Sequence, residues 1–225
     1  MKRKLLDYSS ITVISFLLVV ASARHWIPYG LTETLGFVTG AACVYLVVRQ
    51  DVWNFPVGIA NNIFFLVLFG RARLFGDASL QIIYVILGLQ GWYFWLYGGR
   101  NRSALEITHV KVRTVALLSA TMVLASAALA LVLWRLKGSV PVLDSVTTAL
   151  SLIAQYMLNK KYFENWYVWI AADVIYIYLY FVRGLQLTAL LYFGFLLLCI
   201  LGIRSWRQAI HQRTEASPML SANSV

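Results

Sequence analysis

The chain has 225 residues, 60% of them hydrophobic and 12% charged, and its 19 Lys and Arg against 9 Asp and Glu give a net charge of +10. That composition inverts soluble-protein usage and identifies an integral membrane protein. The basic residues lie between the apolar runs, so the charge faces lipid headgroups and nucleic-acid binding is not expected.

Runs long enough to cross about 30 Å of hydrocarbon fall near residues 9–27, 32–48, 55–70, 76–97, 114–134, 141–158, 163–182 and 186–206. The expected fold is therefore an all-α integral membrane protein of eight transmembrane helices. The first run, with Lys2-Arg3-Lys4 ahead of it and Ala21-Ser22-Ala23 at its end, also fits a secretory signal peptide. Its removal would leave the orientation of the other seven unchanged. Cys43 and Cys199 sit singly within apolar runs and read as packing residues, without a disulfide framework. His25, His109 and His211 are far apart and have no partner at ligand spacing, so neither a metal nor a cofactor is expected. Pro56 and Pro141 are candidate kink sites, since each lacks a donor for the helix ladder. Residues 212–225 are polar and poor in aromatics, which predicts a disordered cytoplasmic tail.

Alternating the loops between two sides puts Arg24, Arg71, Arg73, Arg135, Lys137 and Arg183 together and the other thirteen basic residues on the side of both termini. Thirteen against six places both termini in the cytoplasm by the positive-inside rule.

Sliding the chain against itself by 111 residues aligns Thr34–Trp95 with Ser145–Trp206 without a gap. Tyr45 falls on Tyr156, Asn54 on Asn165, Gly91 on Gly202 and Trp95 on Trp206, while Arg49 meets Lys160 and Asn62 meets Asp173. Each repeat holds three helices and one helix joins them, so both start on the same side of the membrane. This three-plus-one-plus-three parallel plan resembles that of the sugar-transporting SWEET proteins, with the substrate site near the bilayer midplane. The expected division is an extra N-terminal helix (1–30), a first bundle (31–99), a linker with the connecting helix (100–139), a second bundle (140–211) and the tail (212–225).

Trp166, Trp169 and Asp173 fall at i, i+3 and i+7 of one helix, on one face, with the carboxylate about 10 Å along the axis from the first ring. A carboxylate at bilayer depth costs about 2.5–3.5 kcal/mol on insertion scales, so it faces a cavity or a partner rather than lipid. Two readings stand: one ligand meets all three residues, or the tryptophans form an interfacial belt and Asp173 bonds a neighbouring helix. The first repeat carries Phe55, Gly58 and Asn62 on the same face, with Gly58 either leaving room for a ring on Trp169 or allowing close helix packing. Of the adjacent amides Asn61 and Asn62, at least one must turn from lipid to find a partner, and Asn62 is favoured because it matches Asp173. Gln155 and Asn159, one turn apart where the first repeat has Val44 and Val48, are candidates to hold ligand hydroxyls, Asn159 belonging alternatively to the following loop. Tyr176, three residues after Asp173, either lines the same cavity or packs. Gln81 and Gln90 face opposite ways, so at most one reaches a cavity, Gln90 reading alternatively as interfacial. Aromatic faces, amides and one carboxylate suit a flat, hydroxylated cation, since a cation over Trp gains about 0.5–2 kcal/mol.

The segments "WNFPVGIANN" (53–62), "GWYFWLYGG" (91–99) and "NWYVWIAAD" (165–173) resemble those of the PnuC-type vitamin transporters, and the resemblance runs from Leu31 to Arg207. In that family a W-x-x-W-x-x-x-Asn/Asp signature accompanies nicotinamide riboside transport, and it is matched here by Trp166, Trp169 and Asp173. The resemblance implies a multi-pass protein of the bacterial cytoplasmic membrane that takes in nicotinamide riboside by facilitated diffusion, a cytoplasmic riboside kinase trapping it by phosphorylation. It further implies that the pyridinium stacks on the tryptophans while polar side chains hold the ribose, and that the protein forms a homo-oligomer. Thiamine and riboflavin are the cargoes of close relatives and remain the alternatives.

A membrane enzyme would need paired acids, a metal set or a nucleophile beside a base, and Asp173 is the one convincing mid-helix acid. A nucleotide-driven pump would need a phosphate-cradling G-x-x-x-x-G-K-[ST] loop, which does not occur. An ion channel lacks a filter motif or charge ring. Proton coupling through Asp173, and a receptor without transport, are the remaining rivals.

Overall fold

The computed structural model describes residues 17–24, 26, 31–71, 75–135, 141–182 and 186–222. Among them residues 17–23 are helical (α1). There follow α2 (Leu31–Val48), α3 (Asn54–Arg71), α4 (Phe75–Tyr97), a single 3-10 turn (Arg100–Arg102), α5 (Val112–Arg135), α6 (Pro141–Asn159), α7 (Asn165–Val182) and α8 (Gln186–Ala222). Every predicted run that lies within the described residues is a helix, because backbone groups in hydrocarbon must be satisfied within their own segment. By length and composition, four spans among the described residues can cross a membrane: Ala78–Tyr97, Val112–Arg135, Asn165–Val182 and Ala189–Glu215.

Two expectations are corrected. Pro56 lies in the first turn of α3, where the missing N–H has no intrahelical partner to lose, so it does not mark a kink. Pro141 is the first described residue of α6, and residues 136–140 before it lie outside the described residues. Residues 212–222, expected as disordered tail, continue α8 as helix, and 223–225 lie outside the described residues. The extension has its own ties: the Thr214 hydroxyl donates to the Ile210 carbonyl at 3.1 Å, His211 meets Glu215 at 3.2 Å one turn on, and Arg213 pairs with Glu106.

The chain packs as two units, Met1–Val47 with Asp51–Gly88, and Val48–Gln50 with Leu89–Val225. In the first, the Asn61 amide donates to the Thr39 hydroxyl and joins α3 to α2. Thr39 in turn donates to the Leu35 carbonyl at 2.6 Å. In the second, α5 packs on α6, α6 on α7 and α7 on α8. Ala149, Ala154, Met157, Trp166, Ala172, Cys199 and Trp206 form much of its core. No residue of α5 is buried, and Leu117, Val123, Leu124 and Trp134 are each at least two-thirds exposed. That is the surface of a helix solvated by lipid.

The turns before α3 and α7 share a backbone conformation and their closing bonds. Gln50 (φ 55°) and Lys161 (φ 50°), 111 residues apart, both take the left-handed conformation. The Asp51 N–H donates to the Leu46 carbonyl and the Tyr162 N–H to the Met157 carbonyl, each at 2.9 Å. The side-chain amide of Asn54 donates to the Asp51 carbonyl at 2.7 Å, and that of Asn165 to the Tyr162 carbonyl at 2.6 Å. Conserving one local geometry at this spacing explains why Asn stands at both positions.

In the second unit the segment before α5 is laced to the α6–α7 turn. Thr108 pairs with Tyr162 in an isolated parallel bridge. Glu164 accepts from the Val110 N–H at 2.9 Å and meets the His109 ring at 2.7 Å. Lys161 is 7% exposed, its ammonium donating to the Leu105 carbonyl at 2.9 Å and standing 4.3 Å from the centre of the Trp95 ring. Burial pushes that ammonium down to about 8.

Candidate functional site

Helix α7 contains no Lys or Arg, and its one acidic residue, Asp173, is 4% exposed. Its Oδ2 accepts from the Cys199 thiol on α8 at 3.6 Å. Cys199, expected to be a packing residue, thus also supplies a weak donor where the carboxylate would otherwise face apolar side chains. Cys43 does the same in the first unit, donating to the Asn54 carbonyl at 3.3 Å.

One and two turns beyond Asp173, Tyr176 and Tyr180 project against Tyr192 of α8. Tyr176 stacks on Tyr192 with ring centres 4.6 Å apart and planes inclined by 28°, and Tyr180 stacks on Tyr192 at 5.3 Å. A side-chain hydrogen bond joins Tyr180 and Tyr192, and Tyr192 lies within electrostatic range of Asp173. Sequence reasoning placed Tyr176 near Asp173 and missed Tyr180 and Tyr192. The i, i+4 spacing of Tyr176 and Tyr180 was the available signal; Tyr192 falls on Gln81 in the repeat and carried none.

The two tryptophans of the motif have different surroundings. Trp169 is half-buried. Trp166 is 1% exposed and meets the edge of Trp206 at 5.3 Å with planes 83° apart. Gly202, one turn before Trp206, lies under the Trp166 ring: a Cβ added there would come within 2.5 Å of Cη2 and Cζ2. Trp206 also packs on Trp95 at 6.2 Å, whose indole N–H donates to the Leu158 carbonyl at 3.1 Å. The Trp166 indole N–H and the Asn165 side-chain oxygen are buried and meet no partner among the described residues.

The remaining candidates fall as follows. Gln155 and Asn159, expected to hold ligand hydroxyls, bond each other, Gln155 Nε2 donating to Asn159 Oδ1 at 3.0 Å, and Asn159 is the last residue of α6 and fully buried. In the first unit Asn61 is the amide bonded to a neighbouring helix, while Asn62 is half-buried. Gly58 lies against Cys43, whose Sγ stands 3.2 Å from where a Cβ would be, which is close helix packing. Gln90 is exposed and Gln81 half-buried. Two surface cavities, of about 770 and 290 Å3, open beside Leu105, Glu106 and Arg213 and beside His109, Glu164 and Arg207; none of the predicted site residues lines either.

The structure resembles the crystal structure of the vitamin B3 transporter PnuC, with a TM-score of 0.66 at 22% identity over 90% of this chain and 92% of that one. Among relatives, the nicotinamide riboside transporter PnuC of Escherichia coli (strain K12) is 24% identical, the match covering 80% of this chain and 87% of that protein. The PnuC of Neisseria mucosa is 22% identical, with 92% and 83% covered. The riboflavin/roseoflavin transporter RibM of Streptomyces davaonensis is 26% identical, with 84% and 89% covered. The family model described as nicotinamide mononucleotide transporter matches residues 30–208. With that match across most of its length, the chain belongs to the PnuC-type family of multi-pass membrane vitamin transporters, which are not enzymes.

Proposed function

We propose that this protein takes nicotinamide riboside into a bacterial cell by facilitated diffusion, with a cytoplasmic riboside kinase trapping the product. The observation that carries this reading is the buried Asp173 on a helix that also presents a half-buried Trp169. An aromatic face and a carboxylate on one helix suit a flat cation, the ring stacking while the charge is balanced. Trp166 contributes an indole N–H that meets no partner among the described residues, a buried donor suited to a ligand oxygen. Gln155 and Asn159, already joined, and Tyr176 are the polar and aromatic groups assigned to the ribose; Asn62 keeps the role that its match to Asp173 gives it. Asn61, engaged with Thr39, has the weaker claim.

The charge of the second unit bears on the cargo. α6, α7 and α8 as far as Ile203 contain no Lys or Arg. A mononucleotide brings a phosphate, which next to Asp173 would be repelled and would find no cation on these spans. The riboside fits them better than its phosphate.

The twin turns support the three-plus-one-plus-three repeat; eight spans, the divisions at residues 31–99 and 140–211 and cytoplasmic termini belong to the same proposal, resting on the apolar runs and the loop charges. A homo-oligomer is part of the same proposal. The riboflavin transporter among the relatives favours one second reading, a flavin cargo. Calorimetry on the purified protein with nicotinamide riboside, nicotinamide mononucleotide, thiamine and riboflavin tests these readings. Selective binding of the riboside is expected; preference for riboflavin or thiamine would keep the transporter and change the cargo.

A further inference from the structure

We propose that Gly202 and Trp206 of α8 are positioning residues that seat the Trp166 indole, so that the first tryptophan of the motif is held by α8 and is not free to adapt to its ligand. The inference rests on the transport reading above for its functional consequence, though not for its geometry. Three observations carry it. Trp166 is buried to 1% and Trp206 completely, so neither ring has room to turn. Gly202 supplies the space the ring occupies, an added Cβ falling within 2.6 Å of Cη2, Cζ2 and Cε2 of Trp166. Trp206 closes the remaining side edge-on at 5.3 Å and is itself backed by Trp95 at 6.2 Å, which is tied to the Leu158 carbonyl.

The pieces come from three elements: Trp95 near the end of α4, Leu158 near the end of α6, and Gly202 with Trp206 on α8. The indole N–H of Trp166 therefore has a fixed position, set by residues outside the motif. A donor held in place loses little freedom when it meets an acceptor, so affinity depends on the seat as well as on the ring. Trp169 is half-buried, and its partly exposed ring is the one assigned to follow the ligand.

The test compares two glycines of one helix. Gly194 has nothing within 4 Å of an added Cβ, whereas Gly202 has the Trp166 ring. Gly202→Ala, Gly194→Ala and Trp206→Phe are purified as the full chain, and each is measured for near-ultraviolet circular dichroism of its indoles, thermal stability and riboside affinity. We expect Gly202→Ala to alter the indole signal and to weaken binding by about tenfold or more, Gly194→Ala to match the parent in both, and Trp206→Phe, which keeps an aromatic edge, to fall between them. Gly202→Ala with unaltered dichroism and affinity overturns the proposal. Should Gly202→Ala fail to fold, Trp206→Phe decides it, unaltered dichroism and affinity again overturning the seat. A parent protein that binds no vitamin overturns the transport reading, and the dichroism then decides the seat alone: altered in Gly202→Ala it upholds the proposal, unaltered it overturns it.

Discussion

Trp169 and Trp166 share a motif but not an environment, and their substitution should separate accordingly. Trp169→Ala removes a half-buried ring, so the expected result is folded protein whose riboside affinity falls by about tenfold, the order of a cation–π contact out of water. Calorimetry measures it, and unchanged affinity would remove the stacking proposal. Asp173→Leu should instead abolish detectable riboside binding while keeping the thermal midpoint, because a buried carboxylate whose described hydrogen-bond partner is a thiol contributes little to folding. A large loss of stability with affinity retained would make Asp173 a structural residue. Asp173 was legible in the sequence because a lone acid in an apolar run has few explanations. The seat of Trp166 was not legible, since Gly202 and Trp206 appeared only as matches to Gly91 and Trp95, and a repeat match names a partner in sequence rather than a neighbour in space.

The α6–α7 turn is the element whose geometry the sequence half disclosed. The Asn54–Asn165 match marked it, but the left-handed backbone at Gln50 and Lys161 is not written in either residue type, which only rarely adopts it. Because Asn54 and Asn165 close equivalent turns through equivalent bonds, Asn54→Ala and Asn165→Ala should each lower stability by about 1 kcal/mol, the net worth of one hydrogen bond. Thermal unfolding in detergent measures both, and an effect on one alone would break the equivalence. Lys161 gives the same turn a dependence on pH. Burial lowers its ammonium from 10.5 to about 8, so between those values the folded chain binds fewer protons than the unfolded one. The cost of the buried charge is fully present below about 8 and is relieved as pH rises through that window. From about pH 7 to about pH 9 the parent should therefore gain stability relative to Lys161→Met. Tyr162, whose hydroxyl burial pushes above its ordinary 10.0, does not ionise in that range, and His109, Lys160 and Glu164 are common to both proteins. Parallel pH profiles would place the Lys161 ammonium in water.

At the scale of the molecule, hydrophobicity alone located the described helices, because a bilayer leaves an apolar segment no other way to satisfy its backbone. Where lipid is no longer the solvent, that signal ended: residues 212–222 looked disordered by composition and are helical, the Glu106–Arg213 pair and the bonds around Thr214 and Glu215 tying the first turn of the extension. The proposed transport mode rests on what the spans contain. In α7, and in α8 as far as Ile203, Asp173 is the sole acidic or basic side chain, and its described hydrogen-bond partner is a thiol. A proton-coupled cycle needs a group that gains and loses its proton in step with the cargo, and on these two helices Asp173 would have to serve both that role and the balancing of a bound cation. A carrier that leaves Asp173 to the cargo moves it only down its gradient. Uptake of labelled riboside should therefore keep its initial rate when an uncoupler collapses the proton gradient. In cells lacking riboside kinase, the free internal concentration should rise only to the external one; accumulation beyond it, abolished by the uncoupler, would show proton coupling and end the case for facilitated diffusion.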